Sequence, residues 1–168
     1  MSASASVERR IMKRIWSPWR IQYFRNPAPK GCVFCDKPEE DQDTQNCILY
    51  RGKLNFIIMN IFPYNPGHLL VVPYRHIGIL EDMTVQERNE HYQLVSKSVG
   101  VLRSETKTDS FNVGMNLGRV AGAGIADHIH THIVPRWNGD NNCMPVIAET
   151  RVISESMQEI YSRLQGKF

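Results

Sequence analysis

The chain predicts an α+β domain: an antiparallel sheet of about five strands, one long helix lying across it, and a second helix at the C-terminus. Three observations predict it. Short apolar runs at 48–50, 56–60 and 68–73 are separated by turn residues, among them Asn65-Pro66-Gly67. From Thr84 onward a long stretch keeps helical spacing, with Val85, Tyr92, Val95, Val99 and Leu102 on one face. Further on, His128, His130 and His132 alternate with Ile129, Thr131 and Ile133. In an extended strand that alternation turns all three imidazoles one way and their partners the other, whereas a helix would scatter them.

Taken in order, residues 1–29 form an N-terminal arm. Residues 1–10 are small, polar and charged, and are expected to be disordered. The aromatic run from Ile15 to Phe24, which holds Trp16, Trp19 and Tyr23, suits an arm packed on the body or on a second subunit; an aromatic ligand platform is the other reading. A proline-containing linker leads to the main domain at 30–140. Cys32-Val33-Phe34-Cys35 opens it, and Glu39, Glu40, Asp41 and Asp43 read as a solvated acidic connection. Three strands follow. Thr84-x-x-Glu87 is a capping box for the long helix, which Lys107 to Ser110 breaks. A fourth strand covers 111–116, a glycine-rich loop covers 118–124, and the histidine strand comes next. Residues 141–168 form an extension whose helix places Ile153, Met157, Ile160, Tyr161 and Leu164 on one face.

At 168 residues the chain is long enough for a core without disulfides. Its 42% hydrophobic and 22% charged residues are those of an ordinary globular domain. A formal net charge of +3 leans toward an anionic ligand but is too small for wrapping nucleic acid. No apolar run reaches the length of a membrane span, and the basic N-terminus lacks the apolar core of a signal peptide. A cytoplasmic protein is expected. Cys32 and Cys35 form one close pair while Cys47 and Cys143 have none, which suits a metal half-site plus two structural thiols better than a disulfide framework.

The Cys-x-x-Cys pair lacks the helix-opening βαβ context of a thioredoxin-like motif, so a redox role is set aside. A structural zinc site takes four nitrogen or sulfur ligands, which makes histidine supply decisive. His76, at the end of Val72-Pro73-Tyr74-Arg75-His76, can be brought near the triplet by a folded sheet. His91, in the long helix, is expected to be exposed. Spacing alone leaves zinc and two buried thiols both open.

Three clustered imidazoles can divide the work of nucleophile, acid and base near neutral pH. The glycine-rich loop lets backbone N–H groups approach a phosphate, and Arg136, Asn138 and Asn116 could add donors. Nucleophilic attack on phosphorus by an imidazole is one reading. A three-histidine metal centre is the other that the spacing permits.

His-Ile-His-Thr-His-Ile-Val resembles the His-φ-His-φ-His-φ-φ signature of the histidine triad family, with Thr131 at the one less apolar place. Asn60, Pro66-Gly67-His68 with Leu69 to Pro73, Asn116-Leu117-Gly118 and Pro135-Arg136 extend the resemblance over roughly 30–140. Trp16-Ser17-Pro18-Trp19-Arg20 and the run from Gly124 to Asp140 are similar to a bacterial branch that includes diadenosine tetraphosphate phosphorylase-like proteins. The resemblance implies a nucleotidyl transferase or hydrolase that cleaves dinucleoside polyphosphates at the α-phosphate through a nucleotidyl-histidine. His130 would be the nucleophile, and His132 would contact phosphate oxygen. Asn60 would lie near the ribose, and His68, Asn116, Gly124 and Ile125 would line the nucleotide. Water would complete a hydrolase cycle; phosphate would complete a phosphorylase cycle and yield ADP. Gly124 and Ile125 stand where many hydrolases of the family carry Gln or Ser, which favours the phosphorylase-like branch over a phosphoramidase. The resemblance also implies zinc on Cys32, Cys35, His76 and His128, and a homodimer. A nucleotide- and zinc-binding module without turnover is the alternative; nucleic-acid end processing, which would need a basic extension, ranks last.

Overall fold

The computed structural model describes residues 31–140 and 153–168; the aromatic arm and Cys143 lie outside them. Helices α1 (Val33–Glu39) and α2 (Asp43–Asn46) come first. Strands β1 (Ile48–Arg51), β2 (Asn55–Met59) and β3 (Leu69–Pro73) follow, then α3 (Val85–Thr106), β4 (Ser110–Met115), β5 (Thr131–Arg136) and α4 (Met157–Leu164). The five strands make one antiparallel sheet in the order β1-β2-β3-β5-β4. The predicted strands agree with those observed to within a residue or two, except at β5.

β2 and β3 are buried along their whole length, so they read as unbroken apolar runs rather than as an alternation. Ile57, Met59, Leu69, Val71 and Ile133 face a core shared with Leu94, Val95 and Leu102 of α3 and Ile160, Tyr161 and Leu164 of α4. Phe56, Ile58, Leu70 and Val72 face a second core with Phe34 of α1. Each fully buried Leu or Ile of these layers contributes about 1.5–3 kcal/mol. α4 is bound into the first core, and its Tyr161 hydroxyl donates to the carbonyl of Ile48 at 3.1 Å. Ile153 precedes that helix, whose N-cap is Ser156.

The turn between β2 and β3 needs Gly67. Its φ is +76°, and a Cβ there would meet Leu102 Cδ2 at 3.3 Å and Pro135 Cγ at 3.4 Å. Gly78 serves a close approach instead, since a Cβ would come within 3.1 Å of the Asp127 backbone. The Thr84 capping box forms as expected, its hydroxyl accepting from Glu87 N–H and the Glu87 carboxylate accepting from Thr84 N–H. Arg75 also grips that carboxylate at 2.7 Å, and the bond holds its pKa down at about 2.

Four expectations need correction. The buried stripe of α3 is Glu87, His91, Leu94, Val95, Ser98 and Leu102, while Val85 and Tyr92 face solvent. Apolar residues alone do not trace the inner face, which also carries the polar Glu87, His91 and Ser98. His91 is therefore not exposed: it is 2% accessible, hydrogen-bonded to Asn55 and Thr131. The acidic stretch is not a plain connection, because α1 and α2 occupy it and Asp43 pairs with Arg51 at 2.7 Å. Cys32 is in fact the N-cap of a helix, although no βαβ unit surrounds it.

Burial holds the His91 imidazole neutral, its pKa pushed down from 6.5 to about 4. An unfolded chain takes up this proton below pH 6.5 and the native one does not. The contribution of a neutral His91 is thus complete above pH 6.5 and lost as pH falls toward 4, by about 2 kcal/mol at pH 5. Replacing His91 by Leu leaves Asn55 and Thr131 without their partner and is expected to cost about 2–4 kcal/mol at pH 7.5. Urea titrations should show that gap narrowing by about 2 kcal/mol at pH 5; a gap independent of pH would contradict the buried neutral ring.

Candidate active site and metal centre

The three histidines lie on one side of the sheet, but the strand itself begins only at Thr131. His128 and His130 precede it, in a segment pinned by other bonds. Ile129 N–H donates to the carbonyl of Ile77 at 2.7 Å, and His128 Nε2 donates to that of Pro73 at 2.8 Å. His130 Nδ1 donates to the carbonyl of His128 at 2.8 Å. A carbonyl can only accept, so each of these ring nitrogens carries its proton and the opposite nitrogen keeps a lone pair. For His128 the lone pair is on Nδ1. For His130 it is on Nε2. Burial pushes both pKa values below 6.5, which keeps the lone pairs available at neutral pH.

A second chain of assignments starts in the β2–β3 loop. The backbone N–H of Tyr64 donates to His68 Nδ1 at 3.1 Å, so His68 carries its proton on Nε2. That nitrogen lies 2.9 Å from His132 Nδ1, which must accept, and His132 is therefore protonated on Nε2. Nε2 of His132 is buried and has no hydrogen-bond partner among the described residues. A buried N–H donor left unpaired is costly, and it invites an acceptor oxygen from a ligand. Burial and the neighbouring imidazoles push His68 down to about 3 and His132 to about 4, so neither competes as a cation. The rings of His130 and His132 meet edge to face at 4.9 Å.

On the other flank, the ligand atoms of Cys32, Cys35, His76 and His128 all lie within 4.8 Å of one another. Cys32 Sγ is 3.2 Å from His128 Nδ1, and Cys35 Sγ is 3.4 Å from His76 Nδ1 and 3.6 Å from His128 Nδ1. A tetrahedral ion with sulfur at about 2.3 Å and nitrogen at about 2.05 Å spaces its ligands about 3.3–3.8 Å apart, close to these separations. The carbonyl of Pro73 already points the His128 lone pair into the group. Burial, then the adjacent Cys32, pushes the Cys35 thiol up to about 11, so a cation would have to displace its proton. Cys32, Cys35 and Cys47 are free thiols.

The other predicted residues fall as follows. Asn60 Nδ2 lies 3.3 Å from His68 Nδ1, and its Oδ1 accepts from Phe62 N–H. Asn116 directly follows Met115, whose partner across the sheet is Thr131. Gly124 stands in open space, and Ile125 packs against the second core. Arg136 is not a free phosphate donor: it is held by Asp140 at 2.6 Å and by Asn112 Oδ1 at 2.6 Å. Asp140 also accepts from Asn65, which ties the end of β5 to the β2–β3 turn. Two residues were missed. Phe34 lies against the rings of His128 and His130, at 5.5 and 5.1 Å, and Tyr64 stacks on His132 at 5.8 Å. The place of Phe34 between the two cysteines was a usable signal for the first.

A family model described as the HIT domain matches residues 41–139. The chain belongs to the histidine triad (HIT) family. It is 37% identical over 161 residues to the AP-4-A phosphorylase of Mycobacterium tuberculosis, covering 90% of this chain and 82% of that protein. It is 33% identical over 95 residues to the bis(5'-adenosyl)-triphosphatase of Saccharomyces cerevisiae, covering 56% of this chain and 46% of that enzyme. Among solved structures, a zinc-bound histidine triad family protein from Mycobacterium smegmatis superimposes with a TM-score of 0.66 at 26% identity, covering 82% of this chain and 92% of that one. The HIT fold accounts for the sheet and its crossing helix. No helix of the described residues is long and apolar enough to cross a membrane.

The bonds around His68 and His132 make a spectroscopic prediction. Ring nitrogen NMR at pH 6 should find both histidines neutral and protonated on Nε2. A protonated imidazolium at either position, or the Nδ1-protonated form of His132, would contradict the chain of donors that begins at Tyr64.

Proposed function

We propose that this HIT protein cleaves dinucleoside polyphosphates at the α-phosphate, with His130 as nucleophile and inorganic phosphate as the preferred acceptor. One observation carries the reading. The Nδ1–H of His130 is spent on the carbonyl of His128, which leaves the lone pair on Nε2, and the neighbouring ring of His132 carries an Nε2–H with no partner among the described residues. Nε2 of His130 attacks the α-phosphorus, and the bond to the bridging oxygen breaks. With diadenosine tetraphosphate the leaving group is ATP and adenylate stays on the histidine. An oxygen of inorganic phosphate then attacks the same phosphorus, breaks the P–N bond and releases ADP. His132 donates to a non-bridging oxygen as charge develops there. Asn60, His68 and Asn116 line the nucleotide. Gly124, with no side chain, and Ile125, turned to the core, leave room for the acceptor.

The preference for phosphate rests on the phosphorylase of Mycobacterium tuberculosis, to which the likeness is longer and closer than to the yeast triphosphatase. Incubation with diadenosine tetraphosphate should give ADP and ATP only when phosphate is present; AMP and ATP without it would make the chain a hydrolase. His130→Ala is expected to fold and to lose turnover by about 10³-fold or more. Near wild-type activity would end the mechanism.

The four-residue sulfur and nitrogen group suits zinc, a reading supported by its tetrahedral spacing and by the zinc-bound relative. Bound there, zinc would tie α1 to the segment before β5 and withhold His128 from acid–base work. Protein purified without added metal should carry about one zinc per chain, and Cys35→Ser should lose most of it; intact metal-free protein would refute the site. A homodimer is the family expectation, with the long helix and the sheet as the surfaces a second copy would cover.

A further inference from the structure

Behind the triad, on the helix side of the sheet, Asn55, His91 and Thr131 form a polar chain within apolar surroundings. They are 0%, 2% and 4% accessible. The direction of each bond can be assigned. Asn55 Nδ2 donates to the carbonyl of Glu87 at 3.2 Å and to the Glu90 carboxylate at 3.1 Å, so the Asn55 amide oxygen faces His91 as an acceptor. His91 Nδ1–H donates to that oxygen at 2.8 Å, which leaves a lone pair on Nε2. The Thr131 hydroxyl then donates to Nε2 at 2.6 Å. Glu90 in turn accepts from the backbone N–H groups of Lys53 and Leu54, anchoring the chain to the β1–β2 hairpin.

The place where this chain ends is what matters. Thr131 stands between His130 and His132, with its side chain on the opposite face. It is also the terminal pair of β5 in both ladders, opposite Val71 on one side and Met115 on the other. Ladder ends fray, and the nearest backbone bond before this pair is made outside the sheet, from Ile129 N–H to the Ile77 carbonyl at 2.7 Å. Ile129 and Ile133 select which face is buried, but apolar contact is non-directional and fixes position along the strand only loosely. Valine would satisfy the apolar pattern at 131 equally well. The hydroxyl adds a directional bond at the point where the ladder stops.

We propose that His91, acting through Thr131, is a positioning residue for His130: it pins the start of β5 so that the nucleophile's Nε2 is held in line for attack. The inference rests on the reading of His130 as nucleophile. His91 touches no substrate atom, and its effect is on geometry. A reacting atom displaced by about 1 Å from a remote change can cost about 10²-fold in rate.

Thr131→Val keeps the shape and removes the donor, while Thr131→Ser restores the donor and removes a methyl group. The expected result is that Thr131→Val folds, keeps KM within about twofold and loses about 10–100-fold in kcat, and that Thr131→Ser recovers most of the loss. His91→Leu should lower kcat to a similar level, and adding Thr131→Val to it should lower kcat little further. Independently of turnover, the ring nitrogen resonances of His130 should shift in Thr131→Val and return in Thr131→Ser. Full kcat with unmoved resonances in Thr131→Val, or a Thr131→Ser variant as impaired as Thr131→Val, would overturn the proposal. If the wild-type chain turns over no dinucleoside polyphosphate, the proposed function fails, and the His130 resonances alone decide whether Thr131 positions the ring.

Discussion

Burial without a carboxylate partner favours the neutral imidazole, and a neutral ring has one nitrogen that must donate and one that can only accept. Much of the site follows from that constraint. His68, His91, His128 and His130 are all buried, and burial pushes each below the ordinary histidine pKa. Each therefore needs partners of fixed polarity, and each partner decides what the far nitrogen can do. Backbone carbonyls at Pro73 and His128 take the protons of His128 and His130. The Tyr64 amide does the reverse for His68, and the polarity is handed on to His132. Three rings in one motif thus present a lone pair facing Cys32, Cys35 and His76, a second lone pair on His130, and an N–H on His132 with no partner among the described residues.

The sheet can support this because both of its faces are covered. β2 and β3 pack against α3 and α4 on one side and against Phe34 and its neighbours on the other. The central strands are consequently buried along their length and apolar, and the triad histidines gather where β5 begins. Phe34 links two parts of that end. It sits between the cysteines and packs its ring on His128 and His130. Metal on the four-residue group would hold α1, and with it the wall against which the proposed nucleophile rests.

The strands, the Thr84 cap and the Asn65-Pro66-Gly67 turn were legible because each rests on local rules of apolar runs, reciprocal capping and positive φ. The grouping of Cys32, Cys35, His76 and His128 was legible only through the family resemblance, since nothing in spacing alone brings residue 32 to residue 128. His91 was misread for a physical reason. A histidine flanked by Glu90 and Tyr92 on a polar helix looks solvated, and its partners Asn55 and Thr131 are 36 and 40 residues away. Arg136 was misread similarly: a free arginine near a phosphate-binding motif and one neutralised by Asp140 have the same local sequence. β5 begins at Thr131, past His128 and His130, because alternation of side chains continues into the segment before it without the ladder hydrogen bonds.

That last difference gives the triad its asymmetry. A regular strand would present His128, His130 and His132 in equivalent settings, with only their ends to distinguish them. Here His132 is within the ladder, its backbone paired to Leu70 and Gly114. His130 stands one residue outside it, and its ring folds back onto the carbonyl of His128. His128 lies further out, where the chain has turned toward β3 and the cysteines. Leaving the ladder frees the His128 carbonyl to take the Nδ1 proton, which a neighbouring strand would otherwise compete for. The same departure takes His130 out of the ladder pairing, so its backbone is held from outside the sheet, by the Ile129 N–H bond to Ile77, and its neighbours by the side-chain bonds of His128 and Thr131.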